Sequence, residues 1–189
     1  GGQSEVNKLI ESAVANAGNN PADSVMLANV ITKSDAGSIG LMINRIQTVS
    51  ESNPNSNLSL QVLSSVADAN AARAATDPAG LNTTFLNTGG QSEVNKLIES
   101  AVANAGNNPE SSKMLANVIT KSDSNTINIL VDSIQTVDNQ SSAQGMSNNQ
   151  NSSLSLQVLS SVADANAARA ATDPAGLNTT FLNTGGQSE

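Results

Sequence analysis

Along the first fifty positions apolar residues recur at spacings of three and four. Val6, Leu9, Ile10, Ala13, Val14 and Ala17 fall on one side of a helix. This pattern predicts a helix A that starts at Ser4, a favourable N-cap, and stops at Gly18. Asn20 followed by Pro21 is a cap-plus-proline start for helix B, whose apolar residues are Met26, Leu27, Val30 and Ile31. Helix C is predicted from about Ser38 to Val49, with Ile39, Met42, Ile43, Ile46 and Val49 inward. Helix D is predicted from Leu58 to about Thr76. Its inner face is Leu60, Leu63, Val66, Ala67, Ala71 and Ala74, with Gln61, Ser65 and Asp68 opposite. Asp77 and Pro78 then open a short helix E through Leu81, Phe85 and Leu86, with Phe85 the expected main anchor of the core.

The same pattern then starts again. Residues 1–49 align with 89–137 at an offset of 88, and 37 of the 49 positions are identical. Residues 58–88 align with 154–184 at an offset of 96, and all 31 positions are identical. The change of offset places eight additional residues in the second copy. They fall in the polar stretch Asp138–Ser153, DNQSSAQGMSNNQNSS, which is predicted to be a surface loop because loops accept added length at little cost. GGQSE occurs at 1–5, 89–93 and 185–189. The expected organisation is therefore one helical repeat over 1–88, a second over 89–184, and the start of a third at 185–189, an excerpt from a longer array. The expected fold class is all-α, as two tandem four- or five-helix bundle repeats joined through Asn87-Thr88-Gly89-Gly90.

The two copies act as a substitution experiment. Met42 becomes Leu130 and Ile43 becomes Val131, exchanges that a packed position accepts. Val25 becomes Lys113, Asn44 becomes Asp132 and Arg45 becomes Ser133, as expected on a solvated face. Asn70 and its copy Asn166 fall inside the apolar sector of helix D. Each is expected to be a buried amide satisfied within its own bundle; the alternative is a polar contact between units.

Composition narrows the function. The net charge is −8, and the five lysines and three arginines are scattered, which argues against a nucleic-acid partner and against an anionic membrane surface. No apolar run approaches the roughly 20 residues of a membrane span. Charged residues make up only 13% of the chain, about half the usual share, so the polar surface is mostly neutral Asn, Ser, Thr and Gln. Such a surface is hydrated and repels its neighbours weakly.

Cys, His, Trp and Tyr are absent. That removes disulfides, thiolate metal sites, the commonest general base and the commonest metal ligand. Serines are abundant but no base motif accompanies them, and Lys8 and Lys33 lack an apolar setting that would depress a pKa. Glu5 and Asp35 read as residues at helix ends, and Glu11, Asp68 and Asp164 as outward-facing. The run Ser34–Ser38 has too few oxygen ligands for calcium. Glycosylation sequons at Asn57, Asn82, Asn139, Asn151 and Asn178 are expected by chance in so Asn- and Ser-rich a chain. No catalytic, cofactor-binding or metal residue is assigned, no cofactor is expected, and the chain is not expected to be an enzyme.

Near-identical tandem units, few aromatics, few charges and Ser/Ala/Asn-rich amphipathic helices such as LSLQVLSSVADANAARAAT at 58–76 resemble the folded helical repeats of spider silk proteins, particularly the wrapping and egg-case types. Poly-alanine blocks, Gly-Ala runs and Tyr-bearing glycine motifs are missing, and Asp and Asn are more frequent than in those repeats. The resemblance implies a secreted, extracellular structural module of a fibre or matrix that partners other repeats and chains of its own kind. A bacterial surface or filament repeat has much the same composition. A bundle binding a small apolar ligand would need a cavity lined by Leu9, Ile43 and Leu63. Helices D and E and the Gly-Gly junction are the expected seat of function.

Overall fold

The computed structural model describes residues 2–17, 20–34, 36–53, 57–76, 91–105, 109–122, 124–143 and 154–172. Over these residues the chain is all-α. Eight helices run in the order α1 (Gly2–Asn16), α2 (Pro21–Ile31), α3 (Ala36–Ser52), α4 (Leu58–Thr76), α5 (Gln91–Asn104), α6 (Pro109–Lys121), α7 (Ser124–Ala143) and α8 (Leu154–Thr172). No strand occurs among the described residues. Predicted helices A to D of the first copy correspond to α1 to α4, and those of the second copy to α5 to α8.

Local chemistry sets the helix starts. Asn20 caps α2 in extended backbone, and its carboxamide oxygen accepts from Asp23 N at 3.0 Å. Its Nδ2 donates to the Asp23 carboxylate at 2.8 Å, so cap and first turn hold one another. Helix A, by contrast, begins at Gly2, two residues before Ser4. In the second copy it begins at Gln91, and Ser92 donates to the Glu93 carboxylate beside it. The serine thus sits inside the first turn rather than ahead of it. α3 starts earlier and ends later than its apolar stripe requires. α7 likewise continues past Val137 to Ala143, so the first six residues of the polar stretch 138–153 are helical. Once a helix is nucleated, each added residue gains one backbone hydrogen bond, and a polar face is sufficient to carry it on. The remaining residues of that stretch, the predicted helix E with Phe85, and the Gly89-Gly90 junction lie outside the described residues.

The chain forms two compact units, Gly1–Asn104 and Ala105–Glu189. The boundary is out of phase with the sequence repeat, because α5, the first helix of the second copy, belongs to the first unit. In that unit α4 is central. It packs on α2 on one side and on α5 on another, and also touches α3, while α1 lies along α3. Leu58, Leu60, Val62, Leu63, Val66 and Ala67 of α4 are all buried, so this helix is covered nearly all round rather than on one face. Each such large side chain contributes roughly 1.5–3 kcal/mol by leaving water. Ile39, Met42, Ile43 and Ile46 of α3 complete the core together with Leu27, Ala28 and Ile31 of α2.

In the second unit α8 packs chiefly on α6 and also on α7. Its core is Leu115, Ala116, Val118, Ile119, Ile127, Leu130, Ile134, Leu154, Val158 and Val162. One polar contact recurs in both units. Ser24 Oγ on α2 donates to Gln61 Oε1 on α4 at 2.9 Å, and Ser112 Oγ on α6 donates to Gln157 Oε1 on α8 at 3.1 Å. Helices B and D therefore meet in the same register in each copy.

The predicted faces need correction at three places. On α2, Ser24, Leu27, Ala28 and Ile31 face inward, while Met26 and Val30 are exposed. A serine can take an inward place because Gln61 satisfies its hydroxyl. On α1, Ile10 and Val14 are buried against α3, but Val6 and Leu9 are exposed. On α8, Leu156 and Leu159 are exposed although their copies in α4 are buried. Val25 and Lys113 face solvent as expected, as do Asn44, Arg45 and Asp132.

Candidate functional site

Residues 1–21 and 89–109 are identical, yet α1 and α5 sit in different surroundings. α5 lies in the angle between α3 and α4. Leu97 is 0% exposed there, and Ile98, Ala101 and Val102 are buried beside it. On α4, which packs against α5, Leu60 and Leu63 are both 0% exposed. Helix A thus offers more than one apolar stripe, and in α5 two of them are used.

A line of hydroxyls crosses this interface. Ser50 Oγ on α3 lies 2.7 Å from Ser59 Oγ on α4, which lies 2.9 Å from Ser100 Oγ on α5. All three serines are buried. A hydroxyl can donate once and accept twice, so three of them in a row satisfy one another where water is excluded. At the rim, Gln47 Nε2 on α3 donates to the backbone oxygen of Lys96 at 3.1 Å. Glu93, at the start of α5, has its carboxyl held below the ordinary value of 4.5, first by the hydrogen bond from the Ser92 hydroxyl at 2.7 Å.

Each half of this interface is present a second time with its apolar face open. α1 carries the sequence of α5, but Leu9 is 69% and Val6 46% exposed, and Ser12 and Ala13 also face solvent. α8 carries the sequence of α4, but Leu156 is 57% and Leu159 53% exposed, and Ala163 is exposed beside them. Monomeric proteins usually cover groups of large apolar side chains.

The hydroxyl line is also replaced in the second unit. Asp138 stands where the first copy has Ser50. Its carboxylate accepts from Leu154 N at 2.9 Å, from Ser155 N at 3.0 Å, and from Ser155 Oγ. Ser155 is the copy of Ser59. The carboxylate thus caps the first turn of α8 and holds its serine without needing a third hydroxyl.

Other residues singled out in the sequence are dispersed. Lys8 pairs with Glu5 at 3.3 Å on the exposed side of α1, and Glu11 pairs with Arg45 at 2.5 Å across to α3. Exposed pairs of this kind contribute little. Lys33, Asp68 and Asp164 face solvent, and Asp35 lies outside the described residues. Among the described residues no three carboxylates gather as a metal site would require. No helix among them is long and apolar enough to cross a membrane.

Ile43 and Leu63 are buried but Leu9 is on the open side of α1, so these three do not line a common cavity. Asn57 borders the start of α4 and Asn139 is exposed on α7; Asn82, Asn151 and Asn178 lie outside the described residues. Asn166 is buried, but neither atom of its carboxamide is in a hydrogen bond. Its expected satisfaction within the bundle is therefore not met among the described residues, and an unsatisfied buried amide is destabilising. The side chain of Asn70 lies outside the described residues.

Compared with protein families, curated proteins and solved structures, the chain matches none. Its own two copies supply the comparison instead. The expected seat of function was helices D and E, whereas the buried contact between copies is made by helix A. The signal for helix A was present, because residues 1–21 are repeated without a change while helix C varies at many positions.

Proposed function

We propose that the chain is a structural repeat module of an extracellular fibre, silk or matrix protein, assembling through contacts between repeats. The observation that carries this reading is the packing of α5 into the unit built by the preceding copy. Each module is then a set of helices B, C and D closed by helix A of the next copy, so that successive repeats are joined by a packed core as well as by the peptide bond. Arrays in which each unit contacts its neighbours gain stability along their length. Linking many units in one chain raises the effective concentration of every further contact. The low charge and the Asn/Ser-rich surface support the same reading, because such chains stay hydrated while repelling one another weakly.

The test is a concentration and shear series followed by circular dichroism and light scattering. The expected result is scattering that rises with concentration and shear while the helical signal persists at low concentration. A chain that remains monomeric and helical throughout would overturn the reading.

A further inference from the structure

We propose that α1 and α8 are the two halves of a head-to-tail docking surface, and that α1 of a second copy of this chain seats on α8 as α5 seats on α4. The inference deepens the structural reading above and rests on it. It names which surfaces meet.

The template is inside the molecule. The α4–α5 interface is built from two sequences, and both occur again without a change, one in α8 and one in α1. Several positions that are buried in α4 and α5 are open in their copies. Leu60 and Leu63 become the exposed Leu156 and Leu159, and Leu97 becomes the exposed Leu9. A helix from a second copy can therefore bring Leu9 and Ala13 onto Leu156 and Leu159 while its Ile10 and Val14 stay on α3 of their own unit.

The polar partners also allow it. Gln135, the copy of Gln47, is exposed on α7 and can donate to the Lys8 backbone oxygen as Gln47 donates to that of Lys96. Ser155 Oγ donates to Asp138, and its oxygen can accept a further hydrogen bond from Ser12, the copy of Ser100. The one change in the hydroxyl line, Ser50 to Asp138, thus leaves the end that meets helix A unaltered.

The two halves are different surfaces on one molecule. Association is heterologous, so it extends into open chains unless a ring closes. Each end of a growing chain still presents one open half.

The test uses the whole chain with Leu9→Asp and Leu159→Asp. Both positions are exposed, so each variant alone should keep the wild-type circular dichroism spectrum. By sedimentation velocity over a concentration series, the wild type is expected to grow in mass beyond a dimer. Each variant alone should stay monomeric, with association weakened at least tenfold. A mixture of the two should form a one-to-one dimer and stop there, because Leu9→Asp keeps an intact α8 and Leu159→Asp an intact α1. A wild type that stays monomeric at every concentration overturns both this surface and the repeat-assembly reading. Association that survives both substitutions, or a mixture that forms no dimer, overturns the surface alone. As a second measurement, chains carrying Ser12→Cys and Ser155→Cys should form a mixed disulfide on oxidation; absence of it under associating conditions also counts against the surface.

Discussion

Leu9 and Leu97 hold the same place in identical segments, so truncating each to Ala isolates the effect of surroundings. Helix propensity, neighbours in sequence and the unfolded chain are matched in the two variants. Leu97 is fully buried between α3 and α4, and Leu→Ala at such a site costs about 2–5 kcal/mol through lost transfer free energy and the cavity left behind. Leu9 is largely exposed, and a substitution there is expected to fall within about 0.5 kcal/mol. A gap of about 2 kcal/mol is roughly a thirtyfold difference in the folding equilibrium. For a unit of this size it lowers the melting temperature by about 10 °C. The assay is thermal and urea unfolding by circular dichroism at a dilution where chains do not associate, with hydrogen exchange of the α4 amides to assign the transition to the first unit. Leu60→Ala and Leu156→Ala form a mirror pair with the same expected contrast. Equal losses for Leu9→Ala and Leu97→Ala would refute the reasoning, because the two helices would then share one environment.

Three further substitutions test the polar parts of the interface. Ser59→Ala removes the central member of the buried hydroxyl line and leaves Ser50 and Ser100 without it; a loss of about 1–3 kcal/mol in the first unit is expected by urea unfolding. Asp138→Ala removes the carboxylate that caps α8, and should cost about 0.5–2 kcal/mol in the second unit with no change in the first, read by hydrogen exchange of the α8 amides. Ser92→Ala should return the Glu93 carboxyl toward its ordinary value, read by NMR titration. Because that carboxyl is depressed in the folded chain, its contribution is present above the unfolded value and fades as pH falls through the folded one. Ser92→Ala should therefore lower stability slightly at neutral pH, where the contribution is present, leave it unchanged below the folded value, and so flatten the acid limb of the stability profile.

Helices A to D were legible because their apolar spacing, the Asn20-Pro21 start and the second copy all point the same way. What the pattern could not assign is the environment of helix A. α1 and α5 have one sequence, so no local rule can tell the exposed Leu9 from the buried Leu97; only the helices available to pack against them differ. The apolar stripe predicted for helix D is a single face, and Leu58 and Val62 lie off it. Those two residues are the trace of a second packed side, which α4 fills and which one helical face cannot explain. Asp138 looked like the first residue of a polar loop. Its role as a cap depends on the carboxylate reaching the start of α8 from 16 residues away in sequence, a relation that only the fold creates.

The central claim is that helix A of one copy completes the unit built by the copy before it. The chain holds no cysteine, so an introduced pair reports without interference. Ser59 and Ser100 have their side-chain oxygens 2.9 Å apart, so cysteines at these two positions bring their sulfurs together. Ser12 is the same residue in α1 and faces solvent. Oxidation of a dilute Ser59→Cys/Ser100→Cys chain should give a bridge within the chain, identified by peptide mapping, while Ser12→Cys/Ser59→Cys should give none. A bridge from 12 to 59 forming as readily as one from 59 to 100, or no bridge between 59 and 100, would contradict the account.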